Sequence, residues 1–145
     1  MTIPTGYDHG ALAAYMHELL GGDSAGGIAR TLKWSPVSDY DEAVAETALA
    51  LGVDDVAEVT GRDETRRLRA VARRELWRLV MQRTAHLVDA STEGGGQDHS
   101  QIWQHAQAMY ESAAAEAERV IAEVDAAKAT PARPLFFTRA PGGRA

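Results

Sequence analysis

The chain has 145 residues, no cysteine, a formal net charge of −6 at pH 7 and a hydrophobic fraction of 45%. This length suits one compact domain, and the composition is that of a globular protein and not of a disordered one. The lack of cysteine excludes disulfides and thiolate metal sites. The lack of a long apolar run predicts no membrane partner. The excess of acidic residues argues against a protein whose main task is to neutralise phosphates. The N-terminus has no secretion-signal pattern, so we expect synthesis in the cytoplasm.

Residues 1–38 predict a short helix followed by an arm. Residues 8–20 carry apolar side chains at helical spacing, Asp8 can cap the start, and two Gly residues end the pattern. Residues 21–38 are rich in Gly and Ser, which indicates a long connection or a mobile arm. Four apolar residues in it should dock on the domain or on a neighbouring subunit: Ile28, Leu32, Trp34 and Val37. Among them, Trp34 is the best candidate for an intermolecular contact.

Residues 39–129 are expected to form the helical core. A helix is predicted over residues 41–51, and one helical turn over 54–60. Residues 63–90 contain neither Gly nor Pro and place apolar side chains on one stripe, which predicts a long helix. After a Gly-rich connection, a second long Ala-rich helix is predicted from Asp98 or Ser100 to about residue 128. Trp77 and Trp103 lie near the connection and could pack against one another.

Two long helices joined by a short connection should pack antiparallel, with the shorter helices against one side. Residues 130–145 contain three Pro, three Arg and no acid, so this segment predicts an extended arm that cannot fold alone. The predicted fold is therefore all-α, a small helical bundle dominated by two long antiparallel helices, with extended N-terminal and C-terminal arms. Its three parts are residues 1–38, 39–129 and 130–145.

Charge alternates along the chain. Residues 1–61 carry a net charge of −8, residues 62–90 +4, residues 91–129 −5 and residues 130–145 +3. Such segregation indicates segments that face different neighbours, within the chain or in other subunits. The eight arginines of residues 62–90 suit either nucleic acid phosphates or the acidic helices of this chain or of a neighbour. Because acids outnumber bases overall, we favour pairing with acidic helices.

No pattern in the chain predicts catalysis or cofactor binding. Di-iron sites in helical bundles need Glu followed three residues later by His, and no Glu in this chain has that neighbour. The histidines are expected to be surface or half-buried residues, and no nucleophile motif or phosphate loop is present. We expect no metal, no cofactor and no catalytic residue, so the chain is not predicted to be an enzyme.

The order of these elements resembles the head–tail connector proteins of long-tailed bacteriophages, also called head-completion or adaptor proteins. The resemblance covers about residues 39–128 and is greatest for phages of high-GC, actinobacterial-type hosts. Its landmarks are a short acidic helix, the centre Ala72-Arg73-Arg74-Glu75-Leu76-Trp77, the Gly run 94–96, the helix start Ser100-Gln101, and the Ala- and Glu-rich stretch 111–123.

The resemblance implies a structural virion protein of the phage neck. Such a protein forms a homo-oligomeric ring, dodecameric in this family, between the portal protein and the tail or a second neck (stopper) protein. The ring extends the channel, through which genomic DNA passes without specific binding.

Two sets of contact residues follow from this interpretation. The C-terminal arm is expected to dock on the portal, by adding a strand to it. The arm residues are Pro134, Leu135, Phe136, Phe137, Thr138 and Arg139. Adjacent copies are expected to pair acidic with basic segments, and the candidates for contacts between subunits are Trp34, Arg66, Arg69, Arg73, Asp41, Glu42 and Glu46. The main alternative is a small DNA-associated or regulatory helical protein that uses the Arg-rich face of residues 62–83, and a helical-bundle enzyme comes third.

Overall fold

The computed structural model describes residues 7–90 and 96–129, and the side chains of all of these except 88–90, 96–98 and 129. Within these ranges the chain forms five α-helices and one 3₁₀ turn, with no strand, so the predicted all-α fold is confirmed. The helices are α1 (His9–Leu19), α2 (Ile28–Leu32), α3 (Asp41–Leu51), α4 (Arg62–Ala90) and α5 (Gly96–Ala129), and the 3₁₀ turn is Val56–Glu58. The predicted C-terminal arm lies outside the described residues.

Helices α4 and α5 form the predicted antiparallel pair. Three ion pairs join the two helices, and residue numbers fall along α5 as they rise along α4. The pairs are Glu64 with Lys128, Arg66 with Glu123, and Arg73 with Glu116. The side chains that α5 buries are small: Ala106, Ala113, Ala117, Val120 and Val124. Because the distance between two helix axes depends on the side chains at the contact, this face lets α5 lie close against α4.

Helix α4 is the centre of the fold, because α1, α3 and α5 all pack on it. One apolar core joins Leu12 and Met16 of α1, Val44 of α3, and Leu68 and Leu76 of α4. The predicted boundary at residue 38 therefore does not separate two structural units. The apolar face of α1 is covered by the same helices that form the rest of the core, so α1 is part of this core.

The stretch predicted as an extended N-terminal arm is folded in its described part. Gly21 and Gly22 have positive φ values of 95° and 57°, which glycine adopts without strain, and they turn the chain into α2. Ile28, Leu32 and Trp34 pack on the core, so these predicted docking residues find their partner within the chain. Val37 is the exception, with 83% of its surface exposed.

Capping residues account for some of the helix ends. The side chain of Asp8 accepts a hydrogen bond from the backbone N–H of Ala11 at 2.7 Å, as the capping prediction requires. Gly52 ends α3 in the left-handed conformation, with φ at 73°. Tyr40 occupies the N-cap of α3 without a side-chain hydrogen bond, although Ser38, Asp39 and Asp41 are residues that commonly cap helices.

Candidate interaction surfaces

The Arg-rich face of α4 is largely paired within its own chain. Arg66 binds Glu123 on α5, and Arg73 lies 2.9 Å from Glu116 and donates to the Tyr15 hydroxyl at 2.8 Å. On the other side of α4, Arg83 lies 3.1 Å from Glu42 on α3. The acidic helices that were predicted as partners of these arginines are thus partners within one copy.

Three of the predicted subunit contacts therefore already have charge partners: Arg66, Arg73 and Glu42. A fourth, Asp41, lies 2.7 Å from the imidazole of His9. Glu46 is half-buried near Arg78. Among the described residues, no carboxylate lies within 4.0 Å of Arg69, so this arginine retains an uncompensated charge.

The intermolecular contact of Trp34 stays a prediction, and the contacts that the structure describes for this side chain lie within its own chain. Its ring meets the ring of Tyr40 edge-on, with the centroids 5.5 Å apart, and the side chain is half-buried against the core of its own chain. The predicted portal-docking residues, 134–139, lie outside the described residues.

Trp77 and Trp103, predicted as possible neighbours, show no ring contact in the described part of the chain. Instead the ring of Trp77, which is 5% exposed, meets His105 edge-on at 5.5 Å. The Trp77 side chain therefore links α4 to α5 through a histidine, a contact that residue spacing did not indicate.

A buried carboxylate on α4 was missed by the sequence analysis. Glu75 is only 3% exposed, and its Oε2 accepts a hydrogen bond from Arg74 Nε at 2.8 Å. Arg78 Nη1 lies 3.4 Å from the other oxygen, which accepts no hydrogen bond. A hydrogen bond to Tyr110 of α5, together with Glu75, raises the pKa of Arg78. The signal was an acid with an arginine three positions after it, a spacing that brings two side chains together on a helix.

A second buried polar group connects α1 to the start of α3. His17 is 5% exposed, so the prediction that the histidines are surface or half-buried residues is wrong for this one. Its Nδ1 lies 2.8 Å from the Tyr40 hydroxyl, and its Nε2 lies 3.0 Å from the carboxylate of Asp23. Burial raises the pKa of the Tyr40 phenol, with a smaller effect of Asp39 and Asp23. These distances fit a Tyr40 hydroxyl that donates to Nδ1 and an Nε2–H that donates to Asp23.

Two open grooves lie on the surface of the described residues. One, of about 400 Å³, is lined by Ile28 and Thr31 of α2 and by Gln101, Ile102 and His105 of α5. The other, of about 230 Å³, lies between α1, α3 and the 3₁₀ turn, and its lining residues are His9, Val44, Ala45, Ala48, Asp54, Asp55 and Val56. The first groove is mainly uncharged, and the second is acidic.

Over residues 7–90 and 96–129, no three His, Asp or Glu side chains are grouped so that they could hold a metal ion. In the same part of the chain, no helix is long and apolar enough to cross a membrane.

Low pH should destabilise the end of the α4–α5 helix pair at which α4 begins and α5 ends. A hydrogen bond from Lys128 lowers the pKa of Glu64, and hydrogen bonds from Arg66 and Arg119 lower the pKa of Glu123. Because both folded-state pKa values lie below the ordinary value, these carboxylates stabilise the fold at neutral pH, and this contribution is lost as the pH falls through the folded-state values. We expect Glu64→Gln to lose at most about 1 kcal/mol of unfolding free energy at neutral pH, because the pair is partly exposed.

The measurement is urea unfolding at neutral pH and in acid, at a pH below the lowered pKa values of these carboxylates. Glu64→Gln/Glu123→Gln should differ from the parent at neutral pH and approach it in acid. Glu111→Gln, at an exposed position with no ion pair among the described residues, is the control and should match the parent at both. An unchanged difference in acid would contradict the assignment.

Comparisons with protein-family models, with curated proteins and with solved structures found no match for this chain.

Proposed function

We propose that this protein is a structural component of the neck of a long-tailed bacteriophage, an adaptor that forms a ring between the portal and the tail or a second neck protein. Genomic DNA would pass through the ring without specific binding, and a dodecamer is the expected ring size. The portal, the next neck protein and further copies of the same chain are the proposed partners, and the virion neck is the proposed location.

The observation that carries this proposal is the position of the resemblance landmarks on the hairpin. The stretch from Ala72 to Trp77 lies in the middle of α4, where Ala72, Leu76 and Trp77 are buried. Ser100 and Gln101 lie on the early turns of α5, and residues 111–123 form its middle. The short acidic helix of the family pattern corresponds to α3, which packs on α4. The proposal is supported by this placement of the landmarks on three successive helices, α3, α4 and α5.

The pairing of the arginines also favours an adaptor over a DNA-binding protein. Strong binding to duplex DNA requires several cations that are free to neutralise phosphates. Here Arg66, Arg73 and Arg83 face carboxylates of the same chain, and the whole chain is acidic. A channel protein with few free cations lets DNA slide, because few counterions are released on contact.

The test is co-assembly with a candidate portal ring, followed by light scattering of the purified mixture. The full chain should shift onto the portal, whereas a chain without residues 131–145 should not. A chain that lacks only residues 140–145 is the matched control. It loses two Gly and one Arg from the same segment but keeps residues 134–139, so it should still attach. Far-ultraviolet circular dichroism should show folded helices in all three chains.

Attachment of the chain that lacks residues 131–145 would contradict the docking role of the arm. If no chain assembles with any portal, and binding to duplex DNA is strong with a steep salt dependence, the adaptor proposal is wrong and the DNA-associated alternative replaces it.

A further inference from the structure

One face of α3 combines a surface groove with negative charge that the chain neutralises only in part. Residues 34–61 contain seven acids and neither Lys nor Arg. Leu49 is 71% exposed, and Ala45, one helical turn before it on the same side of α3, lines the 230 Å³ groove. A leucine with this exposure costs free energy in water, which burial against another surface would recover.

The acids around this groove differ in how they are compensated. Asp41 and Glu42 have partners, in His9 and Arg83. Among the described residues, no cationic side chain lies within 4.0 Å of Asp54, Asp55 or Glu58, all of which are exposed. We name the surface formed by Glu46, Leu49, Asp54, Asp55 and Glu58, together with the groove, the α3 surface. It attracts a partner that offers cations with apolar stems.

The start of α4 offers such groups. Arg62 is exposed and Arg69 is partly exposed, and no carboxylate among the described residues lies within 4.0 Å of either. They are seven residues apart, so they lie on the same side of α4 about 10 Å from one another. Asp63 is also exposed, but it projects about 100° further round the helix. We name Arg62 and Arg69 the α4 arginine pair.

We infer that the α3 surface of one copy binds the α4 arginine pair of the next copy. The aliphatic stems of the arginines would cover Leu49 while their guanidinium groups pair with the acids around it. The inference rests on the proposed ring, and it changes the predicted interface. The basic side is Arg62 and Arg69 in place of Arg66 and Arg73, and the acidic side shifts from Asp41 and Glu42 towards Glu46 and the turn after α3.

The two surfaces are different patches of one chain, so the contact is head-to-tail. A head-to-tail contact leaves one free surface at each end of a growing oligomer, and it closes into a ring when the rotation between copies permits. A contact of the α3 surface with itself would instead give a two-fold dimer and place acids against acids. Charge complementarity therefore favours the head-to-tail arrangement.

Disulfide trapping tests this contact, because the chain has no cysteine of its own. Leu49→Cys is mixed with Arg62→Cys or with Arg69→Cys under mild oxidation, and the rate of covalent dimer formation is read from non-reducing gels. The control mixture is Leu49→Cys with Ala115→Cys, at an exposed position on the outer side of α5. Since a contact holds the two thiols at a high effective concentration, we expect at least one arginine mixture to form dimer about tenfold faster than the control.

Charge reversal supplies a second measurement. Adding Arg69→Glu to the Arg62→Cys chain should reduce its rate to that of the control mixture, and circular dichroism checks that every variant retains its helices. The inference is overturned if neither arginine mixture exceeds the control, or if Leu49→Cys alone forms dimer fastest.

Failure of this inference and failure of the proposed function are distinguishable. Trapping is measured without the portal, and portal attachment is measured without engineered cysteines. Fast trapping with no portal attachment would support the contact between copies and contradict the adaptor. Portal attachment without trapping would support the adaptor and place the ring interface elsewhere.

Discussion

Leu76→Ala is expected to lower the free energy of unfolding by about 2–5 kcal/mol, which is the usual cost of truncating a buried leucine. Leu76 is 0% exposed and lies on α4, the helix on which α1, α3 and α5 all pack. A cavity at this position removes contacts from the core shared by α1, α3 and α4, so relaxation of one helix cannot fill it. Urea unfolding followed at the helical circular dichroism band measures the loss.

The matched control is Leu49→Ala. It makes the same chemical change on α3, where the side chain is 71% exposed, so we expect a change within about 0.5 kcal/mol. For Leu76→Ala the melting temperature should fall by roughly 6–15 °C. Equal effects of the two substitutions would mean that α4 is not the central helix of the core.

Tyr40→Phe is expected to cost about 1–3 kcal/mol, because it removes the donor to a buried nitrogen. The phenol and imidazole rings of Tyr40 and His17 meet edge-on at 5.7 Å, and both residues are at most 5% exposed. Without the Tyr40 hydroxyl, His17 Nδ1 has no described partner, and water does not reach it freely. The aromatic volume is unchanged, so the loss isolates the hydrogen bond from packing.

Asp23→Ala is the control at the exposed end of the same chain of hydrogen bonds. The Asp23 side chain is 98% exposed, so water can replace it at His17 Nε2, and we expect a loss below about 1 kcal/mol. Thermal unfolding at neutral pH compares the two variants. A larger loss for Asp23→Ala than for Tyr40→Phe would show that the exposed end, and not the buried end, holds α1 against α3.

Helix positions were predicted well because they depend on local patterns. The absence of Gly and Pro from residues 63–90 and the apolar stripe predicted α4 to within one residue of its observed start. The start of α5 was predicted two or four residues late, because Asp98 and Ser100 are better caps than Gly96 by sequence preference alone. Residues 21–38 were interpreted as an extended arm because their glycine content favours a loop. The short helix α2 within them depends on packing against the core, which local patterns do not show.

Charge partners were predicted less completely, because they depend on distances between residues far apart in the chain. Residue spacing placed the arginines on one helix, and composition favoured acidic partners. Neither feature distinguishes partners in the same copy from partners in a neighbouring copy. Arg66 and Arg73 were assigned to contacts between subunits, and the structure pairs both within the chain.

Residue type and spacing over a few helical turns were enough to predict the fold class, the two long helices and the segregation of charge. The packing of the helices was needed to show that α1 shares the core of α3 and α4 and that His17 and Glu75 are buried. It was also needed to show which charged side chains have partners within the chain. The physical reason is that burial and ion pairing are properties of helices packed together, and small side chains on α5 and large ones on α4 set which residues meet.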